Sequence, residues 1–286
     1  MAGGGRDQKG TGWSFGMLRD ITLGQYYQTE SVIHRLDPRV KLAGTLLYII
    51  SLFLFENIWG YILAALFLAL VIGLSHVPVK FMVRGMKAIL FLLLITVVFN
   101  LFLTPGETLV SLWKLTITLE GLHNAVFMAL RLCFLIMGSS VMTLTTTPNN
   151  LTDGMEKGLR PLKVFKVPVH EVAMIMSIAL RFIPILLEET DKIMKAQIAR
   201  GADFESGNLI RRAKAMVPLL VPLFISAFRR ANDLAMAMEA RCYHGGEGRT
   251  KMKPLIYQRR DRLAYLCILL YLGCKVAVGL TALRFV

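Results

Sequence analysis

Long apolar runs alternate with short polar connections through most of the chain. Five of these runs predict membrane-spanning helices, at residues 42–55, 58–74, 88–103, 122–144 and 263–280. Most approach the roughly 20 residues that a helix needs to cross the hydrocarbon core, although the first is short unless its flanks contribute. We therefore predict an all-α, polytopic membrane protein with about five transmembrane helices.

Local signals mark where several of these helices begin and end. Asp37-Pro38 is typical of a helix start and lies just ahead of the first run, and Thr145-Thr146-Thr147-Pro148 is a break after the fourth. Between the third and fourth runs, the alternating stretch WKLTITLEG at residues 113–121 predicts a small hairpin.

Two segments, residues 169–201 and 209–242, share an organisation that the other runs lack. Each has an apolar, proline-bearing half followed by a charged amphipathic half, and each ends in Ala-Arg plus a small residue. We predict two long helices that start beside the bilayer, reach into the cytoplasm and present an arginine at the far end. The terminal residues are Ala199, Arg200, Gly201, Ala240, Arg241 and Cys242.

Helical spacing places an apolar stripe on each of these two segments, rich in methionine and alanine, along which the helices are expected to cross closely. The predicted stripes are Ile183, Leu187, Thr190, Met194 and Ile198 on the first segment, and Phe224, Phe228, Ala231, Leu234, Ala235 and Met238 on the second.

The apolar halves of the two segments, 172–187 and 216–228, raise the question of further crossings. Both are shorter than a span requires, and Arg181 and Pro184 interrupt the first as Pro218 and Pro222 interrupt the second. If both crossed, the basic connection between them would lie outside; if only one crossed, the last span would be inverted. We expect both halves to lie at the membrane interface or against the bundle.

Composition and charge agree with a membrane protein and orient it. The 286 residues are 55% hydrophobic, with a mean hydropathy of +0.56 and a formal net charge of +14. The basic residues cluster in alternate connections, which predicts a cytoplasmic N-terminus and an external C-terminus and disfavours a nucleic-acid patch. The predicted divisions are a tail (1–30, disordered at its start), a membrane domain (31–148), a cytoplasmic region that contains the two long helices (149–258) and a C-terminal transmembrane helix (259–286).

Motifs for catalysis or metal binding are missing or incomplete. His170-Glu171 lacks the second histidine of H-E-x-x-H because residue 174 is methionine, and the glycine-rich stretch 245–250 lacks the lysine of a phosphate-binding loop. The predicted spans contain no Asp or Glu, which disfavours a proton-coupled carrier. Arg131 lies within the fourth span and Asn100 near the end of the third, so each should face either this bundle or a membrane partner.

An Ala-Arg-Gly ending has an ordinary explanation as helix termination, with glycine after the cap and arginine at the negative end of the dipole. The repetition at matching ends of two similar segments favours a functional interpretation. Arginine suits planar recognition of carboxylates and carbonyls, and a small residue after it lets a partner backbone approach.

These features together resemble the transmembrane T component of energy-coupling factor (ECF) transporters. The resemblance covers nearly all of residues 21–286 and is carried by HRLDPRVKL, LTLTTTPNNLTDGME, PVHEVAMIMSIALRFIPILLEETDKIMKAQIARGADF and VPLLVPLFISAFRRANDLAMAMEARCYHGGEGRTK. In that family two Ala-Arg-Gly tripeptides end coupling helices and dock into grooves on two ATP-binding-cassette (ABC) subunits. Residues 199–201 match the first tripeptide, whereas Cys242 replaces the glycine of the second.

The resemblance implies a non-catalytic subunit of an ATP-driven vitamin or micronutrient importer in the cell membrane. Its partners would be two ABC ATPases, a membrane substrate-binding S component and the lipid bilayer, with no nucleic acid. The chain itself would hold no cofactor, since ATP and Mg belong to the ATPases. Two alternatives are a conventional ABC permease, expected to show one short coupling helix, and a membrane-embedded enzyme, expected to show clustered acids or histidines.

Overall fold

The computed structural model describes residues 26–54, 57–105, 108–112, 115–204, 208–245 and 254–284. Its secondary structure is helical apart from one hairpin, so the predicted fold class is confirmed. The helices are α1 (Pro38–Leu54), α2 (Ile58–Ser75), α3 (Val79–Leu103), α4 (Leu119–Thr145), α5 (Pro148–Gly158), a 3₁₀ helix (Arg160–Phe165), α6 (Val169–Ala199), α7 (Leu209–Ala240) and α8 (Arg259–Arg284); the strands are β1 (Thr108–Leu112) and β2 (Leu115–Thr118).

The chain forms two compact units. We call them the bundle unit, which contains α1 to α5 and α8, and the helix-pair unit, which contains the 3₁₀ helix, α6 and α7. The helix-pair unit begins at Leu159, so α5 belongs with the bundle unit. Residues 1–25, where the disordered start of the tail was predicted, and the glycine-rich residues 246–250 lie outside the described residues.

The start of α1 follows the predicted signal. Asp37 caps the helix, because its Oδ1 accepts the backbone N–H of Arg39 at 2.9 Å. The Asp261 carboxylate, at the start of α8, accepts the backbone N–H of Asp37 at 2.9 Å and that of Gln258 at 2.7 Å. One buried acid therefore ties the first turns of α1 and α8 together.

α1 occupies the middle of the bundle unit, where it packs against α4, α5 and α8. Its inward face contributes Tyr48 and Leu52 to a core that also contains Ala64 and Leu68 of α2 and Tyr271 of α8. Small residues allow these close approaches. A Cβ on Gly154 of α5, for example, would stand 2.9 Å from the Cβ of Pro38.

The outer faces of the bundle helices are apolar, as expected of a surface that meets lipid. Phe91 of α3 is 73% exposed and Trp59 of α2 is 66% exposed. By length and composition, α2, α4, α6 and residues 259–281 of α8 are long and apolar enough to cross a membrane, and 89–102 within α3 form a shorter apolar stretch. At 17 residues, α1 is about 25 Å long and shorter than the ~30 Å core.

A hairpin is present as predicted, with β1 and β2 antiparallel, but only β2 falls within the alternating stretch and β1 precedes it. The two polar positions predicted in the spans, Arg131 and Asn100, both have hydrogen-bond partners within the chain. Nε of Arg131 donates to the Tyr61 hydroxyl at 3.1 Å, and its guanidinium lies over the Phe53 ring at 5.2 Å. The Asn100 amide donates to the Thr96 carbonyl of its own helix at 2.9 Å.

Candidate functional site at two arginine helix ends

The C-terminus of α6 forms a complete Schellman motif. Gly201 has a φ of 87°, in the left-handed region that glycine adopts without penalty. Its backbone N–H donates to the Ile198 carbonyl at 2.9 Å, and that of Ala202 donates to the Gln197 carbonyl at 2.9 Å. Arg200 is the cap residue and its side chain is exposed.

The C-terminus of α7 repeats this geometry with a different residue. Cys242 has a φ of 53°, its N–H donates to the Glu239 carbonyl at 2.8 Å, and the N–H of Tyr243 donates to the Met238 carbonyl at 3.0 Å. Arg241 is the cap residue, and both Arg241 and Cys242 are exposed. Cys242 therefore has the same left-handed backbone conformation as Gly201. This conformation costs a residue other than glycine about 1–2 kcal/mol.

α6 and α7 pack side by side in opposite directions. The Gln197 amide donates to the Pro218 carbonyl at 3.3 Å, while Glu189 accepts hydrogen bonds from the Ser226 hydroxyl at 2.6 Å and from Arg230 at 2.7 Å. Residues later in α6 thus contact residues earlier in α7, as in an antiparallel pair. Two consecutive helices joined by a short connection return on themselves in this way. That each helix starts beside the bilayer and reaches into the cytoplasm stays a prediction.

The antiparallel arrangement places the two arginine ends far apart. Arg200 lies level with the N-terminal part of α7, whereas Arg241 ends that helix. Most of the length of α7, which at 32 residues is about 48 Å, therefore separates the two ends along the axis of the pair. The helix pair thus presents two similar exposed arginines, one at each extremity.

The predicted stripe on α7 is correct in part. A half-open groove of about 300 Å³ between the helices is lined on the α7 side by Ala231, Leu234, Ala235 and Met238, as predicted. Phe224 and Phe228 lie outside this groove instead, 64% and 65% exposed, with their rings 6.2 Å apart.

The predicted stripe on α6 is displaced. The groove is lined there by Ile178, Phe182 and Leu186, which lie about 100° around the helix from the predicted Ile183 and Leu187. The prediction differs from the structure because the face of α6 that contacts α7 includes the polar residues Glu189 and Gln197. A pattern based only on apolar positions leaves these residues out.

Ionisable groups elsewhere do not form a metal centre among the described residues. No cluster of three or more His, Cys, Asp or Glu side chains there could hold a metal ion. His34, in the turn before α1, has a pKa below the usual value for histidine. Burial lowers the pKa of His34, the positive charge of Lys41 lowers it further, and a hydrogen bond to the Tyr27 carbonyl opposes the shift.

Comparison with known proteins identifies relatives over most of the chain. A family model described as "Cobalt transport protein" (CbiQ) matches residues 29–252. The energy-coupling factor transporter transmembrane protein EcfT of Clostridium kluyveri is 57% identical over 255 residues, covering 88% of this chain and 94% of that relative. The EcfT of Thermosediminibacter oceani is 52% identical over 269 residues (94% and 100%), and that of Bacillus subtilis (strain 168) is 48% identical over 246 residues (86% and 93%).

The fold is an all-α bundle with helices long and apolar enough to cross a membrane. Because the chain also matches transport proteins over most of its length, it is a membrane component of a transporter. The chain belongs to the CbiQ family and, within it, to the energy-coupling factor transporter transmembrane proteins, the T component of ECF transporters.

Proposed function

We propose that the helix pair of this T component docks two cytoplasmic ABC ATPases, one at the Arg200 end and one at the Arg241 end. Movement of the ATPases would shift α6 and α7 and thereby reorient a membrane S component that holds the vitamin or micronutrient. ATP and Mg reside on the ATPases, and this chain is the non-catalytic coupler between them and the S component.

One observation carries the proposal. The two Ala-Arg endings adopt the same Schellman geometry although only one of them has glycine, and they lie at opposite extremities of an antiparallel pair. Ordinary helix termination does not require that likeness. Two equivalent exposed arginines about one helix length apart suit two equivalent subunits, and guanidinium suits forked recognition of partner carboxylates and carbonyls.

The proposed orientation puts the N-terminus and the helix pair in the cytoplasm and the C-terminus outside the cell membrane. The basic connections at one end of the bundle support it through the positive-inside rule. In this orientation both arginine ends are accessible to soluble ATPases.

The test is retention of the ATPases by the membrane complex. Arg200→Glu combined with Arg241→Glu should release the ATPase subunits during purification in mild detergent and abolish uptake. The matched control is Arg181→Glu with Arg229→Glu, which reverses two other exposed arginines on the same helices. Undiminished retention together with normal uptake in the Arg200/Arg241 variant would refute the proposal.

A further inference from the structure

The bundle unit contains an apolar cavity that the coupling function does not use. It is half open, has a volume of about 290 Å³ and lies among α1, α2, α4, α8 and the turn before α1. Its walls include Val71, Leu74, Val141 and Ile268. This volume is near the lower limit of pockets that hold organic ligands.

Two cationic residues, Lys41 and Arg260, line this cavity. Lys41 is 9% exposed and donates to the His34 carbonyl at 3.1 Å and the Thr145 carbonyl at 2.8 Å, which uses two of its three N–H donors. Nε of Arg260 is buried and lacks a hydrogen-bond partner among the described residues. Both residues line the cavity, so its walls include cationic residues with unused donors.

The acids adjacent to these cations are already committed to the backbone. Asp261 accepts the N–H groups of Asp37 and Gln258, and Asp37 accepts that of Arg39. Those bonds hold the carboxylates at the first turns of α1 and α8. The Nε of Arg260 and the third N–H of Lys41 therefore remain available to an anionic acceptor, because none of these carboxylate bonds uses them.

A third unused donor belongs to Tyr48 of α1. The Tyr48 hydroxyl is buried and lacks a hydrogen-bond partner among the described residues, and Tyr48 is one of the residues that line the cavity. Tyr48 follows Lys41 on α1 by roughly 10 Å of helix. An occupant that pairs with all of these donors needs an anionic group for Lys41 and Arg260, a second acceptor for Tyr48, and an apolar part that fills the rest of the cavity.

We propose that this cavity binds an anionic phospholipid. Its phosphate accepts from Lys41 and Arg260, an ester carbonyl accepts from Tyr48, and one acyl chain fills the apolar cavity. A free phosphate ion leaves the apolar walls empty, and a hydrocarbon leaves Arg260 and Tyr48 unpaired. Basic pockets between transmembrane helices are known as sites for acidic lipid head groups.

The first test compares lipids on the purified full-length chain in mild detergent. Phosphatidylglycerol and phosphatidylcholine with identical acyl chains are titrated while native mass spectrometry counts bound lipid and the Tm is recorded. We expect phosphatidylglycerol to bind and to raise the Tm more than phosphatidylcholine, since choline brings a cation toward Lys41 and Arg260. Equal binding of the two lipids would overturn the proposal, as would inorganic phosphate giving the same Tm rise, which would indicate a simple anion site.

The second test uses matched variants. Arg260→Gln should weaken phosphatidylglycerol binding about tenfold or more, the effect of losing a hydrogen bond to a charged group. Arg262→Gln removes an exposed arginine of the same helix that does not line the cavity and should bind as the unaltered chain does. An equal loss in both variants would mean diffuse surface attraction and overturn the proposal.

Two more variants separate lipid binding from failure to fold. Ala264→Phe places a ring in the cavity and should exclude the acyl chain while every cation remains. Arg260→Lys retains the charge and should keep the preference for phosphatidylglycerol. Unchanged lipid binding in Ala264→Phe would contradict occupancy of the cavity even if Arg260→Gln cannot be purified.

Discussion

The side-chain amide of Gln197 donates to the backbone carbonyl of Pro218, at a distance of 3.3 Å. In a regular helix that carbonyl would accept from the residue four positions on, but here that residue is Pro222, which has no N–H. A side chain of α6 therefore supplies the hydrogen bond that proline removes from α7. This hydrogen bond links the two helices at the segment of α7 that contains both of its prolines, Pro218 and Pro222.

Loss of this bond should loosen the helix pair. Gln197→Ala is expected to lower the free energy of unfolding by about 1 kcal/mol, the usual net value of one hydrogen bond. Gln197→Glu should cost at least as much, because an ionised carboxylate cannot donate and would face the Pro218 oxygen. Thermal unfolding together with hydrogen exchange of the α7 amides near Pro218 measures both effects.

The control for this prediction is Lys195→Ala, an exposed position on the same helix. It should leave the exchange rates of α7 close to those of the unaltered chain. A Gln197→Glu variant as stable and as well protected as the unaltered chain would show that the bond to Pro218 contributes nothing.

Substitutions at the two helix ends should change the stability in opposite directions. Cys242→Gly should raise the free energy of unfolding by about 1 kcal/mol, because it relieves a left-handed non-glycine residue, and Gly201→Ala should lower it by a similar amount. At Gly201 an added Cβ meets no atom within 4 Å, so the penalty there arises from the backbone alone. Denaturant unfolding measures both differences.

Cys242→Ala separates the backbone effect from the thiol. Alanine carries the same left-handed penalty as cysteine, so this variant should have nearly unchanged stability. If Cys242→Gly and Cys242→Ala gave equal stability, the φ of 53° at this position would not be the cause.

Sequence patterns predicted the helices and their ends well because those signals are local. Asp37-Pro38 starts α1 and Thr145–Pro148 separates α4 from α5, each through backbone chemistry confined to a few residues. The predicted spans correspond to helices, although α3 begins at Val79, ahead of the apolar run, because its first turns are basic but helical. The roles of Arg200 and Arg241 at a partner remain predictions.

Features that depend on which elements meet were not predictable from spacing. The sequence does not distinguish Gln197 from other polar residues of α6, because its role depends on the contact with Pro218 of α7. Lys275 in the last span was overlooked, although its side chain is 1% exposed and its ammonium lies 5.9 Å from the centre of the Tyr61 ring. A lysine inside an apolar run was the available signal, since such a residue must find a partner within the bundle.

The turn before α1 should be sensitive to acid. The neutral ring of His34 donates through Nε2 to the Tyr27 carbonyl at 3.0 Å, and Nδ1 accepts from the Ser31 hydroxyl at 2.7 Å. Because burial lowers the pKa of His34, the folded chain binds this proton less readily than the unfolded chain. The stabilisation is therefore complete above about pH 6.5 and is lost as the pH falls through the folded pKa.

Thermal unfolding measured from pH 7.5 to pH 5 checks this prediction. His34→Gln, which can donate and accept but does not titrate here, should flatten the fall in Tm at the acid end. His244→Gln alters an exposed histidine and should retain the slope of the unaltered chain. An identical pH slope in His34→Gln would remove His34 as its source.

The sidedness of α6 is the prediction on which the proposed orientation rests. At 31 residues the helix is continuous through Pro184, so the length of its apolar half does not exclude a crossing. A crossing would carry Arg200 and Arg211 to the side opposite Lys166, against the positive-inside rule. We therefore expect both flanks of α6 to lie in the cytoplasm.

Cysteine labelling decides between the two arrangements. In a chain whose native cysteines are replaced by alanine, Lys166→Cys precedes α6 and Asn208→Cys follows it, and both positions are exposed. An impermeant maleimide applied to intact cells should reach neither, and applied to inverted vesicles it should reach both. Labelling of Asn208→Cys from outside would mean that α6 spans the bilayer. Arg200 would then face away from any cytoplasmic ATPase, so the same result would also remove one of the two proposed docking ends.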